Sequence, residues 1–259
     1  MSSGMASAAA GSAPHDSVVI ARRFNGPPTT GNGGYVAGRL AGTLPRAGGD
    51  AVEVTLRAPI PLDRPLAVSR PAPGTATLHD GPTLLAEARV VALDLDVPAP
   101  PSLEAAAAAG ALGRMRARQG LGNPYLVCFG CGIERHEADG LRILPSAVGD
   151  ADVVASDWTP HPALAGPDGT VPDEIVWAAL DCPAGIAWVA RLEGTPSLVT
   201  GRMTARLDAP VRSGAPHIVT AWPIAREGRK LHAGTALFDA DGRLLACTRQ
   251  LWLMPRTAD

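Results

Sequence analysis

Apolar residues alternate along much of the chain. Val52, Val54 and Leu56 form one such run, and Met203, Ala205 and Leu207 form another. A period of two is the mark of a strand with one buried face. Runs of this kind predict strands over 16–24, 51–58, 65–71, 74–80 and 83–95. Further strands are predicted over 140–146, 151–158, 198–209, 217–226, 230–239 and 243–254. A wider spacing (Tyr35, Val36, Leu40 and Leu44) follows Asn32-Gly33-Gly34 and stops at Pro45, which predicts a helix. A second helix is predicted from Pro172-Asp173-Glu174 through Ile175, Val176, Ala179 and Leu180. Proline suits a first helical turn, and the two acids complement the positive end of the helix dipole. Pro183 and Gly185 then predict a kink or a restart before Trp188. Ser102 is the cap of a third helix from Leu103 to about Gln119, ended by Gly120, Gly122, Asn123 and Pro124.

The pattern occurs twice. Leu56-Arg57-Ala58-Pro59 is followed six residues later by Pro65, and Leu207-Asp208-Ala209-Pro210 is followed at the same interval by Pro216. Asp80-Gly81 and Asp241-Gly242 each lead into a Leu-Leu-Ala strand. Asp-Gly between apolar strands signals a tight hairpin turn. Each half has one helix ahead of its main strands, so the order is strand, helix, antiparallel strands, two times over. The expected organisation is a disordered tail over 1–14, one unit over 15–96, a proline-stiffened linker with a helix over 97–123, and a second unit over 124–255.

Composition removes several classes of function. The chain has 23 basic and 25 acidic residues in 259, a net charge of −2. Nucleic-acid binding needs clustered positive charge, which is not expected here. No apolar run is long enough to span a membrane, and the first fourteen residues lack the apolar core of a secretory signal. With 29 glycines and 25 prolines the turn content is high, yet below the roughly 25–30% typical of unpatterned disorder. Four cysteines are too few for a disulfide scaffold. A cytoplasmic protein is expected.

A helix followed by a curved antiparallel sheet, twice, resembles a double hotdog: an α+β fold with two central helices, each wrapped by its sheet. More narrowly, the chain resembles the acyl-CoA thioesterase II family and its thioesterase-like relatives. Gly33-Gly34-Tyr35-Val36-Ala37-Gly38, Trp177-Ala178-Ala179-Leu180-Asp181 and Leu245-Ala246-Cys247-Thr248-Arg249-Gln250 carry the resemblance. So does Cys128-Phe129-Gly130-Cys131-Gly132 followed by Asp139-Gly140-Leu141.

The resemblance implies a site for acyl-CoA thioesters with no cofactor. The family's helix acid matches Asp181, and its late-strand Gln matches Gln250. Nine residues separate Pro172 from Asp181, and the same step from Asn32 reaches Ala41. Only the second helix therefore carries the acid, and one active half is implied. The family's strand hydroxyl falls on Arg206, two residues before Asp208; Thr204, on the same strand face, is the substitute. Asn32, Gly33, Gly34 and Tyr35 are expected to bind substrate, with the free amides of a helix start receiving the thioester oxygen. Arg206 and Trp177 are further substrate-binding candidates. Asp181 as a structural helix residue, Gln250 as a solvated edge residue and Asn32 as a plain N-cap are the simpler alternatives. A non-catalytic acyl-CoA or fatty-acyl binding protein is the competing function. Paired hotdogs often assemble further, so a homo-oligomer is among the expectations.

Cys128 and Cys131 form Cys-x2-Cys, but structural zinc usually takes four ligands from two such pairs. Cys182, Cys247, His136 and His161 make no second pair in the sequence. No metal is expected. A redox dithiol and two small residues in a tight turn are the other readings.

Overall fold

The computed structural model describes residues 16–254, apart from 46, 48, 123, 124, 150, 151 and 195. The expected tail over 1–14 lies outside the described residues. The strands are β1 (Asp16–Val19), β2 (Ala51–Leu56), β3 (Pro65–Ser69), β4 (Thr75–Asp80) and β5 (Thr83–Val91). They continue with β6 (Ser146–Ala147), β7 (Val154–Trp158), β8 (Val199–Leu207), β9 (His217–Glu227), β10 (Lys230–Asp239) and β11 (Leu244–Leu253). The helices are α1 (Gly33–Ala41), α2 (Leu103–Arg118) and α3 (Asp173–Val189).

All eleven strands join one sheet in the order β1-β3-β4-β5-β2-β8-β11-β10-β9-β7-β6, with every pairing antiparallel. Outward from the β2–β8 seam, one side runs β2, β5, β4, β3, β1. The other runs β8, β11, β10, β9, β7, with β6 as an added edge. Corresponding strands thus follow in the same order on both sides, which is the repeat seen in the sequence. At the seam Val52 faces Ala205 and Val54 faces Met203. All four are buried, so the two halves share one core.

Helices α1 and α3 lie against each other inside that core. A Cβ added at Gly34 would sit 2.5 Å from the Trp177 carbonyl oxygen and 2.6 Å from Asp181 Cβ. One added at Gly38 would sit 2.6 Å from Glu174 Cα. One turn forward on α1 is one turn back on α3, so the helices run antiparallel. Glycine at both places lets the backbones touch. Val36 and Leu40 of α1 and Val176, Trp177 and Leu180 of α3 then pack with Val54, Met203 and Leu237 of the sheet. Gly81 and Gly242 both have positive φ, 55° and 85°, as their hairpin turns require.

The structure departs from the expected elements in three places. The first strand ends at Val19 and a 3-10 turn, Arg22–Phe24, follows. There the Asp63 carboxylate receives Arg22 N at 2.7 Å and Nε at 2.9 Å, drawing the chain off the sheet edge. Of the predicted 140–146 strand only Ser146 joins the sheet, in β6 (Ser146–Ala147). Leu141 N and Ile143 N donate instead to Phe129 O and Gly130 O. Helix α3 runs through Pro183 without restarting. Pro183 has no N–H for the Ala179 carbonyl one turn before it, and the next carbonyl, that of Leu180, accepts from Gln250 Nε2 at 2.7 Å and Thr235 Oγ1 at 3.0 Å. The helix expected after the proline segment forms as α2 (Leu103–Arg118). α2 packs on β7, with Gly110 against Ser156 and Asp157 and Arg114 paired to Asp157 at 3.1 Å. No helix among the described residues is long and apolar enough to cross a membrane.

Candidate functional site

A cavity of about 430 Å³ opens where the start of α1, the middle of α3, the β2–β3 loop and the first residues of β8 meet. Leu56, Ile60, Leu198, Ile186 and Trp252 give it largely apolar walls. Its size lies in the ordinary range for small-molecule sites.

Asp181 is the carboxylate in its lining. The side chain is buried and held by three donors. Thr200 Oγ1 donates to Oδ1 at 2.7 Å. Gly34 N at 3.0 Å and Asn32 Nδ2 at 3.1 Å donate to Oδ2. Burial pushes the carboxyl up to about 6, while the Thr200, Gly34 and Asn32 donors pull it back and Cys128 adds to the rise. A carboxylate offers about four acceptor sites on its two oxygens, so three donors leave one for a ligand in the cavity.

Asn32 does two jobs at once. Its Oδ1 accepts from Tyr35 N at 2.8 Å and caps α1. Its Nδ2 reaches across to Asp181 on the other helix. Gly33 lines the cavity, and a Cβ there would lie 2.9 Å from Thr200 Cβ, so glycine lets β8 close on the helix start. The Gly34 amide, expected to receive a thioester oxygen, is taken by Asp181. No described residue accepts from the Gly33 amide, the first of the helix.

Thr200 is the residue that strand alternation missed. β8 and β11 pair Arg202 with Leu251 but Thr200 with Trp252, so Gly201 is an extra residue in β8. Such a bulge re-aims the side chains beyond it, and Thr200 points to Asp181. The register shift was not visible in the sequence; the glycine was its only local hint.

Several expected site residues lie outside the wall of this cavity. Thr204 faces Glu53 across the seam, 3.5 Å from its carboxylate. Arg206 pairs with Asp208 at 2.8 Å. Both follow the bulge and keep the opposite strand face from Thr200. Tyr35 stacks on Phe24 with ring centres 3.8 Å apart. Trp177 is fully enclosed at the helix contact. Neither reaches the cavity. Gln250 is buried but not solvated, and it is not in the cavity wall. Its amide nitrogen donates to Leu180 O, Thr248 Oγ1 and Thr235 Oγ1, and its oxygen accepts from Trp252 Nε1 at 2.8 Å. It braces the α3 turn that carries Asp181.

Cys182 is not remote from the Cys-x2-Cys pair. The turn from α3 brings its sulfur to 3.6 Å from Cys128 Sγ. Cys128, Cys131 and Cys182 all line the cavity. Hydrogen bonds from Cys131 and Cys182 hold the Cys128 thiol well below the usual range, and the same sharing pushes the other two up.

A second cavity, about 520 Å³, occupies the corresponding place in the other half, at the start of α3 and the β8–β9 loop. Asp50, Asp173 and Asp208 line the space, and the nine-residue step that reaches Asp181 from Pro172 reaches Ala41 from Asn32.

No protein-family model matches the sequence, and no curated protein does. Solved structures do. An acyl-CoA thioesterase II from Mycobacterium marinum is 14% identical over 88% of this chain and 91% of its own, with a TM-score of 0.56. A conserved protein of unknown function with a hotdog fold from Alicyclobacillus acidocaldarius is 17% identical over 94% and 93%, TM-score 0.57. A TesB protein from Mycobacterium avium subsp. paratuberculosis is 14% identical over 95% and 90%, TM-score 0.53. At these identities the likeness is one of fold. The chain shares the hotdog architecture of thioesterase II proteins.

Proposed function

We propose that the chain is a double hotdog, with units over 15–96 and 124–255, that hydrolyses acyl-CoA thioesters at the Asp181 cavity. The observation that carries the proposal is a buried carboxylate with one acceptor position left over, set in an apolar cavity at a helix start. The acyl chain lies along Leu56, Ile60 and Trp252. The thioester oxygen takes the Gly33 amide, where the helix dipole favours the charge that develops on it. Asp181 accepts a proton from water as the water oxygen attacks the carbonyl carbon. The carbon–sulfur bond breaks, and the departing CoA thiolate takes that proton from Asp181. Thr200 and Asn32 keep the carboxylate in place throughout. The other half supplies the helix start and no acid.

The binding-only reading has one observation in its favour. The Gln250 amide is spent on Leu180, Thr248 and Thr235 and leaves nothing to orient a water. Thiol release measured over an acyl-CoA panel of increasing chain length separates the two. Hydrolysis is expected for the wild type and its loss for Asp181→Asn, with acyl-CoA still raising the melting temperature of both. Ligand stabilisation of the wild type without thiol release would establish a binding protein, and unchanged turnover in Asp181→Asn would remove Asp181 from the chemistry.

A further inference from the structure

We infer that Cys128, Cys131 and Cys182 bind a zinc ion at the wall of the cavity, with the fourth coordination position open to it. The inference is independent of whether the cavity hydrolyses thioesters. The three sulfurs lie within 4.8 Å of one another and are buried. Tetrahedral zinc binds thiolate sulfur at about 2.3 Å, which sets neighbouring sulfurs about 3.8 Å apart. Cys128 Sγ and Cys182 Sγ are already at 3.6 Å, so metal entry requires only small side-chain shifts.

The backbone prepares the site. Cys128-Phe129-Gly130-Cys131-Gly132 is a tight turn closed by Gly132 N donating to Cys128 O at 2.8 Å. A Cβ at Gly132 would collide with the Cys128 backbone, so only glycine closes the turn this way. The turn is anchored on both sides. Phe129 N donates to Asn25 O at 2.7 Å, and Leu141 N and Ile143 N donate back to Phe129 O and Gly130 O. Gly130 leaves room for the third ligand, since a Cβ there would lie 2.9 Å from Cys182 Sγ. Asn32 Nδ2 is 3.8 Å from Cys128 Sγ and 3.9 Å from Cys182 Sγ. It can therefore offset thiolate charge, as outer hydrogen bonds do at metal sites.

Three soft thiolates select zinc over hard cations. Asp181 is not part of the set, and its Oδ2 is taken by Asn32 Nδ2 and the Gly34 amide. All three cysteines line the cavity, so the fourth corner faces incoming ligand. Water fills it, or a soft donor such as a thiolate displaces the water. An open fourth position is the pattern of zinc sites that exchange ligands.

The test is metal analysis of the full chain purified under reducing conditions without chelator, by elemental mass spectrometry and native mass spectrometry. One zinc per chain is expected. Cys131→Ser is expected to lose it, and Cys247→Ala, a cysteine on β11 outside the cluster, to keep it. A folding failure of Cys131→Ser is bypassed by titrating metal-stripped wild type with cobalt. Thiolate-to-cobalt charge-transfer absorption with tetrahedral visible bands is expected, and Cys247→Ala is expected to reproduce it. Wild type that holds no zinc and gives no charge-transfer band with its thiols reduced would overturn the site. So would a native mass lower by two hydrogens that persists in reductant, since it would mark a Cys128–Cys182 disulfide.

Discussion

Thr200 donates to the Asp181 carboxylate at 2.7 Å from a strand position that alternation assigns to the outer face. Arg202, Thr204 and Arg206 share the parity of Thr200. The extra residue at Gly201 breaks the phase between them. Thr200 is thereby turned inward, while Thr204 stays with Glu53 at the seam.

Thr200→Val is expected to slow thioester hydrolysis, because the buried carboxylate loses a donor. A hydrogen bond to a charged group contributes about 1.5–3 kcal/mol, roughly a ten- to hundred-fold effect. Thr200→Ser keeps the hydroxyl and is expected to retain most of the turnover. Thr204→Val is expected to leave turnover unchanged. Steady-state thiol-release kinetics of the three variants check the assignment, and equal losses in Thr200→Val and Thr204→Val would refute it.

Gln250→Leu is expected to act on stability first. It strips Trp252 Nε1 of its acceptor and Leu180 O of one of its two donors. Each buried polar group left unpaired costs about 1–3 kcal/mol. Urea unfolding is expected to show a lower midpoint at unchanged slope. A direct role in orienting water predicts the reverse pattern, with stability intact and turnover lost.

His217 links stability to pH. Burial holds its imidazole below the ordinary range, against backbone bonds at Ala215 and Trp158 and the charge of Asp239, its cross-strand neighbour, which all pull upward. The unfolded chain takes up a proton near pH 6.5, the folded chain only at lower pH. The unfolded state binds more protons in that window, so stability rises with pH there and falls as pH drops below about 6.5. His217→Gln is expected to flatten this part of the stability profile, measured by urea midpoints from pH 5 to pH 8, roughly the span in which His titrates.

Much of the site's framework was legible in the chain. The equal step from Asn32 to Ala41 and from Pro172 to Asp181 singled out the one helix with an acid, because a helix keeps spacing and direction in register. The cap at Asn32 and the glycines after it were equally plain, since a helix start has a local signature. Thr200 was hidden behind a bulge, and alternation is blind to an inserted residue until the partner strand is known. Gln250 was placed on the right strand, yet its partners come from α3 and β10, which only packing brings near.

The sequence by itself pointed to a repeated strand order, to most of the strands and hairpin turns, and to an acid at Asp181 in the second central helix. These follow from periodicity and local backbone preference, which act over a few residues. Only the tertiary structure decided that Asn32 and Gly34 of one half hold Asp181 of the other, that Thr200 completes the set, and that Cys182 joins Cys128 and Cys131. Those contacts span from 19 to 149 residues of chain. They exist because α1 and α3 pack glycine to backbone inside one shared sheet, and no local rule specifies where two such surfaces meet.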